Sequence, residues 1–286
     1  MSLVKKVKRK AMIIRASGRS TDFITPSFGY GCLYDCSYCY MKRHLPKGVT
    51  IAVNEHDILT AVNNHAFFTP VDKPNQTHAD HTTYDISCNE DFALHAKHHN
   101  WERIFEFFRD HPIAMGSFAT KYVNNKLLKF NPLNKIRIRF SLMPQHMSDL
   151  HEPNTSKIID RIKAINIFIE AGYDVHVNFS PVILYKNWKE DYKNLFNMLN
   201  EYVEHKDCVL AEVIFLTHNE SKHMKNMENH PETEKHLWVP KLQEVKTSQY
   251  GGKNYRYKLG LKRNYINQFV ALHDSVIPWN TIRYIF

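Results

Sequence analysis

Three cysteines stand close together near the N-terminus, within residues 29–40, which we call the cysteine loop. Cys32, Cys36 and Cys39 have the spacing Cys-x3-Cys-x2-Cys, which is too tight for unstrained disulfides among them. Thiolates at this spacing suit one inorganic centre, and three of them bind three irons of a [4Fe-4S] cluster. The fourth iron is then open to another ligand.

The composition of this loop leaves two interpretations open. An open iron is what a radical S-adenosylmethionine enzyme uses to bind the amino acid end of its cofactor, before an electron from the cluster cleaves the sulfonium. Alternatively, the three cysteines and His44 complete a tetrahedral zinc site in a noncatalytic DNA-binding module. The apolar and aromatic residues of the loop suit a buried cofactor as well as a zinc knuckle.

Length and composition predict a globular protein of the cytoplasm. The chain has 286 residues, of which 43% are hydrophobic, enough to bury a sizeable core. It contains no apolar run long enough to span a membrane, and its N-terminus lacks the apolar segment of a signal peptide. Five cysteines, an odd number, fit reduced thiols better than a disulfide framework. We expect a monomer without membrane association.

The net charge of +9 is concentrated near the two ends. Residues 1–20 hold seven Lys or Arg and no acid, and residues 241–263 hold seven more against Glu244. Basic patches of this kind commonly neutralise the phosphates of a nucleic acid; solvated surface is the alternative. The pattern predicts a basic N-terminal tail at 1–20, a barrel domain at 21–240 and a nucleic-acid-contacting hairpin, helix and strand at 241–286.

Six strand patterns alternate with helical patterns between residues 22 and 216. The strands are predicted at 22–26, 81–87, 113–120, 135–142, 174–180 and 208–216. The helices between them are predicted at 54–68, 101–109, 155–171 and 189–204. Such alternation indicates an α/β fold with a parallel sheet, a partial (β/α)6 TIM-like barrel whose active site lies at the carboxyl ends of its strands. The cysteine loop follows the first strand.

A β-hairpin extension is predicted near the C-terminus, with arms at 245–250 and 253–258 joined by Gly251 and Gly252. A base in a duplex has to be flipped out before an enzyme interior can reach it. The hairpin could fill the gap that the flipped base leaves in the duplex, with Tyr255 and Tyr257 stacking on bases and Lys253 and Arg256 contacting phosphates. The alternative is an edge hairpin whose lysines protect the sheet from aggregation.

Several polar residues are predicted at strand ends. Lys121 and Ser141 could hold the carboxylate and the ribose of a cofactor. Cys88 follows the second strand, at the presumed catalytic rim, whereas Cys208 begins an apolar strand and is expected in the core. His95, His98 and His99 stand together without a recognisable metal-site spacing, and we expect them on the solvated surface.

The sequence resembles the radical S-adenosylmethionine superfamily and, within it, the spore photoproduct lyase family of DNA repair enzymes. The matching motifs run in order from about residue 30 to residue 258. They are Cys36-Ser37-Tyr38-Cys39-Tyr40, Cys88-Asn89-Glu90-Asp91, Thr120-Lys121, Arg139-Phe140-Ser141, Glu152-Pro153-x-Thr155, Ala171-Gly172-Tyr173, Ser180-Pro181 and the hairpin from Tyr250 to Tyr257.

The resemblance implies roles for individual residues. Cys32, Cys36 and Cys39 would bind the cluster, and a 5'-deoxyadenosyl radical would take a hydrogen from C6 of the thymine lesion. Cys88 matches the cysteine that returns a hydrogen to the product, and Tyr38 and Tyr40 match residues that relay a hydrogen or an electron back to the cofactor. Ser141 and Ser180 match positions near the lesion.

Glu90 and Asp91 match the stretch that contacts the cofactor, but Glu90 departs from the pattern, since the family usually has a small hydroxyl residue there. This departure leaves a second reaction open, hypermodification of thymine bases by an enzyme of the phage type. The expected partners are DNA and an electron donor such as a flavodoxin or a ferredoxin. The expected cofactors are the [4Fe-4S] cluster and S-adenosylmethionine.

Overall fold

The computed structural model describes residues 4–16, 22–39, 41, 48–68, 78–247 and 251–286. Its strands are β1 (Val4–Val7), β2 (Arg15–Ala16), β3 (Phe23–Ile24), β4 (Gly29–Tyr30), β5 (Val49–Ala52), β6 (Thr82–Asp85), β7 (Ala114–Thr120), β8 (Ile136–Ser141), β9 (Asp174–Val182), β10 (Leu210–Phe215), β11 (Thr217–Asn219), β12 (Gln243–Thr247), β13 (Lys253–Tyr257) and β14 (Thr281–Ile285).

Its α-helices are α1 (Glu55–Phe68), α2 (Phe92–His95), α3 (Trp101–Asp110), α4 (Gln145–His151), α5 (Ile158–Glu170), α6 (Trp188–Tyr202), α7 (Glu220–Asn229), α8 (Pro231–Leu237) and α9 (Leu259–Val276). The six strands predicted to alternate with helices correspond to β3, β6, β7, β8, β9 and β10. Within the described residues, no helix combines the length and the apolar character needed to cross a bilayer.

The chain forms two compact units, the first comprising Met1–Leu33, Lys47–Phe140 and Ala164–His176. In this unit β3, β6, β7 and β8 pair in parallel, in the order of the sequence. Strand β2 pairs antiparallel with β3, and a small separate sheet has the order β1-β5-β4. The parallel pairing places the carboxyl ends of β6 and β7 at the same edge of the sheet.

Helix α3 packs closely on β7 in the first unit. It buries Ile104, Phe105 and Phe108, which lie three or four residues apart and so share one face of the helix. A Cβ atom at Gly116 would lie 2.9 Å from the Phe108 ring and 2.8 Å from Ile136. The glycine therefore permits the close approach of helix and strand.

Strand β8 shows alternating apolar and basic residues, which predicts a half-buried strand, yet all six of its residues are buried. The two arginines are paired with carboxylates of the same unit. Arg137 Nε lies 2.6 Å from Asp174 Oδ2, and Arg139 Nη2 lies 2.9 Å from Asp85 Oδ2. Ion pairing makes the burial of these guanidinium groups tolerable.

The second unit comprises Tyr34–Pro46, Ser141–Lys163 and Val177–Phe286. In it β9, β10 and β14 pair in parallel, and α6 packs on α9, with the rings of Phe196 and Phe269 5.5 Å apart. A separate antiparallel sheet has the order β11-β13-β12. The predicted hairpin is its β12–β13 pair, in which Thr247 faces Lys253.

The structure adds two features to the expected domain organisation and differs from the expectation at one cysteine. Within the basic segment at 1–20, residues 4–16 contain β1, which pairs with β5, and β2, which pairs with β3. The two units interleave along the chain and do not divide it after residues 20 and 240. Cys208 is exposed, so its expected place in the core is wrong.

Candidate active site

The cysteine loop carries three half-buried or buried thiols. Cys36 is only 5% exposed, Cys32 and Cys39 are half-buried, and none of the three is in a disulfide. The N–H of Cys39 donates to the carbonyl of Cys36 at 3.1 Å, which forms a tight turn. Reduced thiols in this spacing are the donor set of an iron–sulfur cluster. Tyr40, and His44 of the zinc alternative, lie outside the described residues.

The first part of the loop is held by hydrogen bonds of the first unit. The N–H of Gly31 donates to the carbonyl of Asn89 at 2.9 Å. The N–H of Leu33, which follows Cys32, donates to Nε2 of His95 at 3.3 Å. Because this nitrogen accepts, the proton of a neutral His95 lies on Nδ1, which donates to Glu90 at 2.9 Å.

Glu90 is the centre of a buried carboxylate–histidine cluster. Its Oε2 accepts from His95 and also from Nε2 of His99, at 3.0 Å. Burial opposes a charge on His99, but Glu90 and Glu55 outweigh it and raise the pKa of His99 to about 9. A Cβ atom at residue 29 would lie 2.1 Å from the Glu90 carboxylate, so Gly29 makes room for it.

These contacts change two expectations. Glu90 directs Oε2 to two histidines, and its Oε1 is buried with no hydrogen-bond partner among the described residues. The side chain is thus part of the support for the loop, and its contacts do not indicate the predicted cofactor binding. His95 and His99 are 0% and 8% exposed, so their expected place on the solvated surface is wrong.

Asp91 joins the start of α2 to the end of β7. As N-cap of α2, its Oδ1 accepts from the N–H of Leu94 and from the Thr120 hydroxyl, the latter at 2.7 Å. Its Oδ2 accepts from the N–H of Lys121 at 2.9 Å. Both oxygens of Asp91 therefore accept hydrogen bonds from protein groups, which gives the side chain a structural role.

Cys88 and Lys121 lie where the barrel pattern predicts catalytic groups. Cys88 follows β6 by three residues and Lys121 directly follows β7, so both lie at the carboxyl-terminal edge of the parallel sheet of the first unit. Both residues are half-buried. In the second unit, Ser141 ends β8 and is 2% exposed, and Ser180 lies in the last part of β9, half-buried.

The second part of the cysteine loop is held within the second unit. Ser37 donates its N–H to the carbonyl of His151 at 2.9 Å, and its Oγ lies 2.7 Å from Nδ1 of the same residue. The carbonyl of Ser37 accepts from Nδ2 of Asn226 at 2.9 Å. Ser37 is thereby fixed at three atoms, between Cys36 and Tyr38.

The phenol of Tyr38 donates to Oε1 of Glu152. Burial, together with the charge of Glu152, raises the pKa of Tyr38 well above its usual value. Oε2 of Glu152 accepts from Arg161 and from the Ser148 hydroxyl, each at 3.0 Å. Arg161 is fully buried and also donates to the carbonyl of Ser141 at 2.7 Å. A paired buried carboxylate therefore orients the phenol beside Cys39.

The tyrosines of the hairpin do not present their rings to solvent. Tyr255 is 8% exposed and packs on Trp238, with ring centroids 4.2 Å apart. Tyr257 is 3% exposed, and its hydroxyl accepts from the N–H of Leu184 at 2.9 Å. Their burial contradicts the expected stacking on bases. Lys253 is exposed at the start of β13, and Arg256 is half-buried on the face of β13 opposite to Tyr255 and Tyr257.

The residues that hold the cysteine loop, Glu152, Arg161 and Asn226, were not assigned a role from the sequence. Glu152 belongs to the motif Glu152-Pro153-x-Thr155, which matches the family but did not indicate a function for the glutamate. Arg161 lies in an amphipathic helix pattern, and Asn226 lies in a polar helix, so neither pattern indicates a contact with a distant loop. Only the fold brings them together.

Comparisons with known proteins give one family over almost the whole chain. The family model described as "Spore photoproduct lyase" matches residues 2–286. The chain is 27% identical to spore photoproduct lyase of Bacillus subtilis (strain 168) over 283 residues, covering 96% of this chain and 80% of that protein.

Two solved structures have similar folds. One is spore photoproduct lyase complexed with dinucleoside spore photoproduct, with a TM-score of 0.85, 21% identity and coverage of 99% of this chain and 82% of the other. The second is a variant of the lyase with bound S-adenosylmethionine and dinucleoside spore photoproduct, with a TM-score of 0.84, 19% identity and the same coverage. The partial (β/α)6 barrel predicted from sequence is confirmed. The chain belongs to the spore photoproduct lyase family.

Proposed function

We propose that this radical S-adenosylmethionine lyase repairs spore photoproduct in DNA, with Cys32, Cys36 and Cys39 as the cluster ligands. The observation that carries the proposal is a family match over residues 2–286 that includes a loop of three reduced cysteines in cluster spacing. When bound, the [4Fe-4S] cluster supplies the electron that cleaves S-adenosylmethionine and so provides the 5'-deoxyadenosyl radical.

The residues around the loop hold the ligands in place. His95 and Asn226 fix backbone groups directly after Cys32 and directly after Cys36, respectively. Hydrogen bonds to the loop and the partial burial of its thiols are the protein's means of setting the properties of a cluster. Lys121 and Ser141 are the groups that we assign to the carboxylate and the ribose of S-adenosylmethionine.

Cys88 is the hydrogen donor in this proposal. After the radical has taken a hydrogen from the lesion and the bond between the two bases has broken, one thymine carries an unpaired electron. The S–H bond of Cys88 breaks, its hydrogen atom forms a C–H bond on that thymine, and the unpaired electron passes to sulfur. Tyr38 and Tyr40 would then relay a hydrogen atom from 5'-deoxyadenosine to the sulfur of Cys88, which restores the thiol and returns the unpaired electron to the nucleoside. Glu152 keeps the Tyr38 phenol oriented.

The basic residues of the hairpin face the DNA in this proposal. Lys253 and Arg256 contact phosphates, and Ser180 lies near the lesion. Since Tyr255 and Tyr257 are buried, their contribution is to hold the hairpin in shape. A one-electron donor of the flavodoxin or ferredoxin class reduces the cluster, and the chain acts as a monomer.

The test uses the anaerobically reconstituted enzyme, S-adenosylmethionine, a reductant and dinucleoside spore photoproduct. We expect about four irons and four sulfides per chain, formation of 5'-deoxyadenosine and conversion of the lesion to two thymines. Zinc in place of iron in the cysteine loop would support the DNA-binding module. Formation of 5'-deoxyadenosine with an untouched lesion, but with a modified thymine in undamaged DNA, would support hypermodification and overturn the repair proposal.

A further inference from the structure

Two histidines and a glutamate converge in the second unit, and we call them the Glu234 cluster. His218 lies in β11, His223 in α7 and Glu234 in α8. Oε1 of Glu234 lies 2.9 Å from Nε2 of His218 and 2.5 Å from Nδ1 of His223. The side chains of His218 and Glu234 are 0% and 1% exposed, and that of His223 is 12% exposed.

Glu90, His95 and His99 also form a cluster of one glutamate and two histidines. In that cluster, however, the nitrogen of His95 that faces the glutamate is not free to bind a metal ion. Nε2 of His95 accepts from Leu33, which keeps the proton on the nitrogen that faces Glu90. In contrast, Nδ1 of His218 is buried and has no hydrogen-bond partner among the described residues. No second hydrogen bond therefore holds the proton on the nitrogen that faces Glu234. That proton can move to Nδ1 and leave Nε2 as a metal ligand.

The three donor atoms are close enough to share one ion. Where the structure describes the chain, His218, His223 and Glu234 form the single group of three or more His, Cys, Asp or Glu whose donor atoms all lie within 4.8 Å of one another. Bonds of about 2.0–2.1 Å to a tetrahedral ion place ligand atoms about 3.3 Å apart. The present separations of 2.9 and 2.5 Å require a displacement of less than about 1 Å.

From this geometry we infer that His218, His223 and Glu234 bind a divalent cation of the zinc class. Two imidazoles and one carboxylate are a donor set that zinc prefers, and they leave a fourth position for water. His223, the partly exposed ligand, gives the ion a route from solvent. The ion replaces the hydrogen bonds that now join the three side chains.

The position of this site connects it to the cysteine loop. Asn226 donates one hydrogen bond to Oε2 of Glu234 at 2.6 Å and another to the carbonyl of Ser37 at 2.9 Å. Its amide thus orients the carboxylate in the way that supporting groups orient metal ligands elsewhere. A cation here joins β11, α7 and α8 and, through Asn226, stiffens the loop that carries Cys36 and Cys39.

The test measures zinc binding to the holoenzyme, whose cluster occupies the three cysteines. The protein is incubated with zinc chloride, passed through a desalting column and analysed for iron and zinc, and its affinity is measured against a chromophoric chelator. We expect one zinc per chain in addition to the full iron content. His223→Ala should lower the zinc affinity by more than about tenfold, because even a group that only supports a ligand is worth that much.

His223→Ala is the decisive variant because it removes a partly exposed ligand and buries no new charge. Glu234→Gln should have an effect at least as large if it folds. The control is His230→Ala, since His230 is exposed and lies between the two helices that carry the ligands. The inference is overturned if the wild-type holoenzyme keeps no zinc, or if His223→Ala and His230→Ala bind it equally well.

Discussion

The phenol of Tyr38 donates a hydrogen bond to the buried carboxylate of Glu152. This contact joins residues 114 positions apart in the sequence and gives the tyrosine that precedes Cys39 a fixed carboxylate as its acceptor. Arg161, fully buried, neutralises the same carboxylate. The orientation of Tyr38 therefore depends on a charged network with no access to solvent.

Glu152→Gln should strongly destabilise the protein. The change leaves the guanidinium of Arg161 buried without its counter-charge, which typically costs about 3–5 kcal/mol. The free energy of unfolding of the apoprotein, from urea denaturation, is the measurement. Glu232→Gln is the matched control, because the Glu232 side chain is 82% exposed and its ion pair with Lys235 is solvated. Equal stability of the two variants would contradict the proposed role of Glu152.

Cys88→Ala should separate cofactor cleavage from repair. Cys32, Cys36 and Cys39 are untouched, so 5'-deoxyadenosine should still form in the presence of the lesion. Without the thiol, the thymine radical lacks its hydrogen donor. Products in which this radical has combined with another molecule should therefore replace thymine. Chromatography of the products is the measurement, and Cys208→Ala, which removes an exposed thiol, is the control. An unchanged product distribution in Cys88→Ala would show that another group donates the hydrogen.

The stability contributed by His99 should fall as the pH rises. The folded-state pKa of His99 is about 9, against an ordinary value of 6.5. Because the folded state binds the proton more tightly, this contribution is full below pH 6.5 and is lost between pH 6.5 and about 9. It amounts to at most about 3 kcal/mol. Urea denaturation of the wild type and of His99→Gln should show a difference at pH 6 that shrinks by pH 9.5.

The control for this pH dependence is His230→Gln, a change at an exposed histidine. Its stability should follow that of the wild type at every pH. A difference between the wild type and His99→Gln that is the same at pH 6 and pH 9.5 would contradict the charged His99–Glu90 pair.

Lys253→Ala should weaken DNA binding and reduce its dependence on salt. If Lys253 contacts one phosphate, the slope of log K against log salt concentration should decrease in magnitude by about 1. The matched control is Lys157→Ala, because both lysines are largely exposed and each is paired with a carboxylate, Glu220 and Asp149 respectively. Fluorescence anisotropy with a labelled duplex provides the affinities. Identical slopes for the two variants would exclude a phosphate contact at Lys253.

Local sequence patterns were sufficient for much of the fold. The spacing of Cys32, Cys36 and Cys39 indicates their chemistry directly, because ligands to one centre have to lie close together. The alternation of strands and helices predicted the six strands β3, β6, β7, β8, β9 and β10, and the glycine pair predicted the β12–β13 hairpin. These features depend on neighbours in the sequence.

The contacts that hold the site depend on tertiary structure and could not be predicted. Asn226 and Ser37 are 189 positions apart, and no local pattern pairs them. The short strand β11 was not predicted, and its pairing makes β13 a central strand. Tyr255 and Tyr257 are therefore buried, although the hairpin alone suggested exposed rings. His95 and His99 were expected on the surface because their spacing matches no recognisable metal site, and nothing local in the sequence indicates that the buried carboxylate of Glu90 pairs with both of them.

Mass spectrometry of the thymines formed from dinucleoside spore photoproduct in D2O tests directly whether Cys88 donates the hydrogen. The thiol hydrogen of Cys88 exchanges with solvent, so we expect conversion of the lesion to thymines in which one carbon-bound deuterium is incorporated. Cys88→Ala should not yield that deuterated product. An untouched lesion, or repaired thymine without deuterium, would contradict the assignment of this chain as a lyase that uses Cys88 as its hydrogen donor.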